Sequence, residues 1–210
     1  MDSRVSGKFY SGDSEDNMAD LKQAMETIFR NEGGLTYDQG GDTLFGISRN
    51  AHGDHKFFEV FDSLRKRTSV GKFKATAEHS DLLKDYARQI YRDEYWDPIR
   101  GDEIRSQAIA VQVFDMAVNT GPKRKPRHAI RCLQAAINDT LDCCVPVVNN
   151  INIAVDGLIG PQTLRQVNDV AYNDPLLRFL KLKRIEYYNG LSKSYRKSSM
   201  WLWVHRTVTS

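Results

Sequence analysis

The sequence predicts a mainly α-helical fold with one small β-hairpin. Apolar residues recur at helical spacing in several separate segments, and a glycine-rich stretch at residues 31–48 interrupts that pattern. The 210 residues are 40% hydrophobic and 27% charged, an ordinary balance for a globular protein that buries a core. The chain shows no internal repeat and no low-complexity tract, which argues against a repeat architecture.

The first half of the chain predicts helices on both sides of the hairpin. A helix at 20–30 has apolar residues every three or four positions and ends at a Gly-Gly pair. The letters DQGG are typical of a hairpin turn, and the letters TLFGIS that follow favour a short strand. We then predict a polar surface loop with short helices at 51–78, a helix at 80–95 that Trp96 closes, and a nearly all-apolar central helix at 105–119.

The second half predicts further helices joined by one irregular link. These segments are an amphipathic helix at 128–138, the link at 141–153, a helix that opens near Pro161, and a long helix from Asp174. The apolar tail with the letters SMWLWVHRTV is expected to dock on the body. Residues 1–18 are polar, with glycine and serine breaks, and are expected to form a loose arm.

Charge and cysteine content limit the classes of function. A formal charge of +3, from 30 basic and 27 acidic residues, is too small to indicate nucleic-acid binding but suits an anionic bacterial envelope. No apolar run approaches the ~20 residues of a membrane span, and the first residues lack the apolar core of a signal peptide. Cys132, Cys143 and Cys144 form no disulfide framework. We therefore predict synthesis in a reducing host cytoplasm.

Residues 31–48, with the letters NEGGLTYDQGGDTLFGIS, hold the candidate catalytic site. Cleavage of a glycosidic bond needs a protonated carboxylic acid, with a nucleophile or a positioned water on the other face of the sugar. Glu32 ends the first helix beside apolar neighbours, whose desolvation favours the protonated acid. The alternative is a charged helix end followed by an ordinary turn. The hairpin offers carboxylates and hydroxyls that could act with Glu32, by positioning the water or by contacting the substrate. These residues are Asp38, Asp42, Thr43 and Ser48.

Two further pairs of residues are candidates for substrate binding. Asp115 and Asn119 lie four apart on one face of the apolar helix, where they either line a polar groove or cap neighbouring loops. Trp96, with Tyr95 beside it, either offers a sugar a stacking surface or packs in the core. The histidines lack metalloprotease spacing and nucleotide-binding fingerprints are absent, so we predict no metal and no cofactor.

Several segments together resemble glycoside hydrolase family 108, the muramidases with a lysozyme-like helical fold. The stretch at 31–48 is similar to the family's EGG…DPGG…T…GIT signature, with Gln39 in place of the proline. Further similar segments follow in order, and the resemblance covers residues 18–206: YRDEYWDPIRGDEI, AVQVFDMAVNTGP, CLQAAIN, AVDGLIGPQTLRQVN and WVHR.

This resemblance implies a peptidoglycan hydrolase. Glu32 would be the proton donor for cleavage between N-acetylmuramic acid and N-acetylglucosamine, with Asp38, Asp42 and Thr43 as candidates for the second role. It also implies a lysozyme-like catalytic region at 19–122 and a peptidoglycan-binding region at 123–210, packed as one unit.

The resemblance further implies a phage or bacterial lytic enzyme. Delivery through a holin, or carriage on a virion, would bring it to the cell wall or periplasm. Two alternatives stay open: a non-catalytic wall-binding or virion-assembly protein with the same fold, and a lytic transglycosylase that uses the same glutamate.

Overall fold

The computed structural model describes residues 18–32, 34–38, 41–121, 126–146, 151–191, 204–205 and 207–208, with the backbone alone at 30–32, 38 and 170. Within these ranges the chain is mainly α-helical with one small antiparallel sheet, which confirms the predicted lysozyme-like fold class. The helices are α1 (Leu21–Glu32), α2 (Arg49–His52), α3 (Lys56–Arg67), α4 (Val70–Glu78), α5 (Asp81–Tyr91), α6 (Gln107–Thr120), α7 (Arg127–Cys144), α8 (Pro161–Val167) and α9 (Asn173–Gly190). The strands are β1 (Thr36–Asp38), β2 (Gly41–Leu44) and β3 (Ile47–Ser48).

Helix α1 forms where apolar periodicity predicts it. Ala24 and Ile28 on its inner face are fully buried, and α1 packs against α6. The Asp20 carboxylate accepts a backbone N–H of the first turn at 2.6 Å, as an N-cap residue does. The Gln107 side chain on α6 also holds the Asp20 backbone, accepting from its N–H at 2.7 Å and donating to its C=O at 3.1 Å. The core therefore fixes the direction in which α1 runs toward Glu32.

The sheet has the strand order β1-β2-β3, with both pairs antiparallel. Asp38 pairs with Gly41, as a hairpin at DQGG predicts, and the two residues between them lie outside the described part. The single strand predicted at TLFGIS is wrong: it is two strands joined at Phe45 and Gly46. Their φ angles of 53° and 76° are both left-handed, which is the geometry of a tight hairpin turn.

The segment 51–78 contains helices, as predicted, but the prediction of a surface loop is wrong, because two core helices occupy most of it. Helix α3 buries Phe57, Phe58 and Phe61, and Phe73 of α4 packs edge-on against Phe61 at 5.1 Å between ring centroids. The lysines and arginines of this segment lie on the outer faces of helices whose inner faces are aromatic. The basic composition masked this amphipathic pattern.

Helix α5 runs on past Tyr91 as a π-helical turn (Arg92–Trp96), followed by two 3₁₀ turns (Asp97–Ile99 and Gly101–Glu103). Helix α6 comes next and is buried at every position from Ile109 to Ala117. The prediction of a central, nearly all-apolar helix is confirmed.

Helices α7 and α9 pack on each other and on α6, so the two halves of the chain meet at α6. The helix predicted at 128–138 is longer than expected, since α7 continues to Cys144 and takes in the start of the predicted irregular link. Helix α8 begins at Pro161, as predicted.

The described part of the C-terminal tail docks on the body, as predicted. Thr207 is fully buried, and its C=O accepts from the Gln112 side chain on α6 at 3.4 Å. The predicted arm at 1–18 lies outside the described residues except for Met18, and the predicted boundary at 122–123 also falls outside them. In the described ranges, the helices are too short or too polar to cross a membrane.

Candidate active site

Glu32 is the last residue of α1, where the structure describes its backbone alone. One turn earlier on the same helix, the Phe29 ring lies 5.5 Å from the Phe45 ring and 6.1 Å from the Tyr91 ring. The Tyr91 hydroxyl donates to the Phe45 C=O at 3.0 Å. This aromatic cluster (Phe29, Phe45 and Tyr91) joins the end of α1, the β2–β3 turn and α5. It brings the backbone of Glu32 and the sheet into one packed unit.

A row of hydroxyl groups crosses one face of the sheet. Thr43 in the central strand pairs with Thr36 of β1 on one side and with Ser48 of β3 on the other. Residues directly opposite in an antiparallel pair project from the same face, so the three hydroxyls share a face. Thr43 and Ser48 are both partly exposed. The structure therefore brings these two candidates together.

Asp42 projects from the opposite face of the sheet, because neighbouring residues in a strand alternate. It is only 8% exposed. Its carboxylate accepts from Arg49 Nε at 3.0 Å and from a terminal nitrogen of Arg65 at 2.7 Å. Burial opposes ionisation, but these hydrogen bonds outweigh it and lower the pKa of Asp42 below its ordinary value. Asp42 is thus held as an ionised anchor on the face away from Thr43.

The two arginines extend this contact into a sheet network (Asp42, Arg49, Asp62 and Arg65). Arg49 also binds Asp62 of α3 through two nitrogens, at 2.6 and 3.1 Å. The Arg49 guanidinium lies 4.5 Å from the centre of the Phe58 ring, and that of Arg65 lies 4.8 Å from Phe61. Planar, weakly hydrated guanidinium groups suit such stacked sites. The network ties the sheet to α3.

Asp38 lies at the end of β1, next to the turn and opposite Gly41 in the register. Its side chain is outside the described part of the structure. Of the two hairpin carboxylates, the one at Asp42 is therefore bound by arginines, and the one at Asp38 lies outside the described side chains.

Of the two alternatives for Trp96 and Tyr95, the structure shows core packing and not a sugar-stacking surface. Trp96 is fully buried, donates from Nε1 to Asp102 at 2.7 Å and packs edge-on against Phe114. A Cβ placed on Gly101 would overlap the Trp96 ring, so glycine allows the ring to pack there. Tyr95 is 5% exposed, with its ring 5.7 Å from that of Tyr91. Both rings belong to the core.

Asp115 and Asn119 lie together on α6, where Asp115 is fully buried and therefore does not line an open groove, which corrects the prediction for that residue. They belong to a helix network (Gln112, Asp115, Asn119 and Arg184) between α6 and α9. Asp115 and Arg184 are fully buried and their side chains meet at 2.5 Å, while Asn119 donates to Asp115 at 3.2 Å. Arg184 also donates to Gln112. Asp115 thus pairs with an arginine that crosses from another helix, and Asn119 donates to the same carboxylate.

Sequence reasoning missed the residues that organise this region. Arg49, Arg65 and Arg184 lie in polar or basic stretches that favoured solvated surface, and Glu78 lies in the predicted loop. Their roles depend on partners far away in the sequence. In the described ranges, no three His, Cys, Asp or Glu side chains converge as a metal site requires.

One family model matches part of the chain. Residues 25–121 match the family model Glycosyl hydrolase 108. No curated protein matches the chain. The matched segment runs from α1 to the end of α6 and contains Glu32, the hydroxyl row and the sheet network.

Proposed function

We propose that this glycoside hydrolase, whose residues 25–121 match the Glycosyl hydrolase 108 family model, is an N-acetylmuramidase of bacterial peptidoglycan. The bond proposed is the β-1,4 linkage between N-acetylmuramic acid and N-acetylglucosamine. The observation that carries this proposal is the family match over a segment in which the end of α1 and the hydroxyl row share one packed unit.

Glu32 is the proposed general acid. It occupies the C-terminal residue of α1, where the helix dipole places partial negative charge. This field disfavours a carboxylate and favours the protonated acid, which is the form that gives its proton to the glycosidic oxygen as the C1–O bond breaks.

The attacking group in this proposal is a water molecule held by Thr43 and Ser48. Their side chains share a face and are partly exposed, so a water can donate to one hydroxyl and accept from the other. Asp42 is a poor nucleophile or base, because two arginines engage it on the other face. We therefore assign the base to Asp38. A water-mediated route inverts the configuration at the anomeric carbon.

A lytic transglycosylase is the second candidate. It needs a single acid and no protein nucleophile, and the engagement of Asp42 by Arg49 and Arg65 favours it to that extent. The substrate's own hydroxyl then attacks the anomeric carbon and gives its proton to the carboxylate left on Glu32, and the product is an anhydro-sugar. The remaining alternative, a non-catalytic wall-binding or virion-assembly protein, lacks the support that the glycosyl hydrolase match provides.

One digest tests the proposal. Wild type and Glu32→Gln are incubated with purified peptidoglycan, and the muropeptides are analysed by mass spectrometry. We expect wild type to release products with new reducing ends, and Glu32→Gln to lose at least about 99% of that activity. Products lighter by one water would identify a transglycosylase instead. Wild-type rates in Glu32→Gln would remove Glu32 from the chemistry.

We also propose that residues 123–210 bind peptidoglycan and that delivery to the wall uses a holin or a virion. The AVDGLIGPQTLRQVN element supports the first part. Because α7 and α9 pack directly on α6, binding and cleavage would take place on one body. Sedimentation of the Glu32→Gln protein with insoluble peptidoglycan tests binding without cleavage.

A further inference from the structure

The chain that follows Glu32 is held by a carboxylate from a distant helix. Leu35 lies three residues after Glu32, is 3% exposed, and directly precedes β1. Its backbone N–H donates to Glu78 Oε1 at 2.7 Å, across 43 residues of sequence. An ionised acceptor makes such a bond short and strong.

The neighbouring glycine fits the same carboxylate. A Cβ placed on Gly34 would overlap Glu78 Oε1, and ordinary van der Waals contact with the carboxylate exists only because Gly34 lacks a side chain. A methyl group at position 34 would therefore make the Glu78 carboxylate move away from its present place.

Helix α4 gives Glu78 a fixed base. Glu78 is its last residue, directly after the fully buried Ala77, and its side chain is 23% exposed. Phe73 on α4 packs against Phe61 of α3, and the Arg65 guanidinium lies 4.9 Å from the Phe73 ring. The sheet network stacks on the same aromatic residues. The sheet and the Glu78 carboxylate are thus positioned by one rigid cluster.

We propose that Glu78 is a positioning residue for the general acid. By holding Gly34 and Leu35, it sets where α1 ends and therefore where Glu32 stands relative to Thr43 and Ser48. The inference rests on the proposed role of Glu32. A displacement of about 1 Å in a reacting group lowers rates by about a hundredfold, so such a constraint has a catalytic effect without touching the substrate.

The test compares single and paired substitutions on defined peptidoglycan fragments. In Glu78→Ala, Leu35 loses its acceptor, and we expect kcat to fall at least about tenfold with KM changed less than about twofold. Glu78→Gln keeps an acceptor oxygen at the same place and should retain kcat within about threefold. Lys74→Ala removes an exposed ion-pair partner of Glu78 at 3.9 Å and serves as the matched control, with activity close to wild type.

Gly34→Ala provides an independent route to the same contact. Its methyl group displaces the Glu78 carboxylate, so kcat should fall as it does in Glu78→Ala. In the double variant the alanine at position 78 leaves room for the methyl group, so the loss should not exceed that of the more impaired single variant. Two independent sites would instead multiply their effects. Circular dichroism confirms that every variant is folded at the assay temperature.

Three outcomes overturn the inference. Wild-type kcat in Glu78→Ala would show that the contact has no catalytic consequence. Multiplicative losses in the double variant would separate Gly34 from Glu78. Equal losses in Glu78→Gln and Glu78→Ala, with a missing limb in the pH–rate profile, would make Glu78 a proton-transfer group. The Glu32→Gln digest is read separately: if that variant is inactive while Glu78→Ala is not, the proposed function stands and the positioning role fails.

Discussion

The sheet network and the helix network both neutralise an aspartate with arginine, but they differ in how far solvent reaches the pair. Each pairs an aspartate that the sequence marks as a candidate site residue with arginine. The Arg65 side chain is 40% exposed in the sheet network, whereas Arg184 and Asp115 are 0% exposed in the helix network. Water can replace a lost partner in the first case and cannot in the second. A carboxylate among polar neighbours therefore needs its burial and its partners determined before it is assigned to catalysis.

The largest expected effect is on the helix network. Asp115→Ala leaves the buried Arg184 charge without its carboxylate, which costs about 3–5 kcal/mol of unfolding free energy. That corresponds to a fall of roughly 10 °C in Tm for a chain of this size. Thermal unfolding followed by circular dichroism measures it.

The matched control for Asp115 lies between helices α7 and α9. Asp139 pairs with Lys183 at 2.7 Å, with both side chains partly exposed, so Asp139→Ala should cost less than about 1 kcal/mol. Equal losses of stability in the two variants would contradict the contrast between dry and hydrated pairs.

The sheet network should tolerate loss of its charge better. In Asp42→Asn the amide keeps one acceptor oxygen but loses the negative charge, and water molecules can solvate Arg49 and Arg65. We therefore expect the free energy of unfolding to fall by about 1–2 kcal/mol. Because Asp42 faces away from Thr43, kcat should stay within about tenfold of wild type. Asp38→Asn, in contrast, should lose at least about a hundredfold. The comparison fails if Asp42→Asn is as inactive as Glu32→Gln in the peptidoglycan digest.

A smaller effect is the pH dependence of the sheet network. The folded-state pKa of Asp42 lies below its ordinary value of 3.8 because Arg65 and Arg49 outweigh the opposing effect of burial. The unfolded chain then binds more protons between the two values, so stability rises with pH in that window. The contribution of Asp42 is fully present above its unfolded pKa and is lost as pH falls through the folded pKa.

Denaturant unfolding of wild type and Asp42→Asn at pH 7, 5 and 3 measures this contribution. We expect the difference in unfolding free energy between the two proteins to be the same at pH 7 and 5 and smaller at pH 3. A difference that is unchanged at pH 3 would mean that the ionised carboxylate is not what the arginines stabilise.

The smallest effect concerns the reactivity of a cysteine beside the helix network, which depends on whether water reaches this region. Burial raises the pKa of Cys132 to about 11, although the nearby Arg184 opposes the shift. At pH 8 only roughly one molecule in a thousand then carries the reactive thiolate. Cys143 and Cys144 are exposed. Mass spectrometry after brief alkylation should show these two labelled and Cys132 labelled only after denaturation; rapid labelling of Cys132 in the folded protein would show that water enters this region.

Periodicity was sufficient for the elements whose signal is local. The apolar spacing that ends near Glu32 and the all-apolar α6 predicted both helices correctly. In α9, the same spacing indicates that an arginine is buried. Every fourth residue of one helix face is buried, and the arginine is one of them: Leu176, Leu180, Arg184 and Tyr188. The basic letters KLKR drew attention to charge and away from that spacing.

The candidate site was less predictable, because its features depend on pairing between distant segments. Whether Trp96 stacks on sugar or packs in a core is decided by Asp102, Phe114 and Gly101, which no local pattern connects to it. The role of Asp42 is likewise decided by Arg65, 23 residues away. Thr43 and Ser48 were candidates from the sequence, but their pairing was not predicted, because TLFGIS was assigned to one strand and not to the β2–β3 hairpin.

The π-helical turn after α5 makes this part of the chain sensitive to length. A π turn accommodates one extra residue in an otherwise α-helical path. Deleting one residue of α5 before Arg92, where the helix is regular, would rotate every later side chain by about 100°, and Trp96 would leave Asp102 and Gly101. Deleting one residue between Arg92 and Trp96 would instead remove the extra residue and leave a regular helix with its flanking side chains still in register. Single-residue deletions should therefore be tolerated less in α5 than in this turn, and the register of the chain counts there as much as its composition.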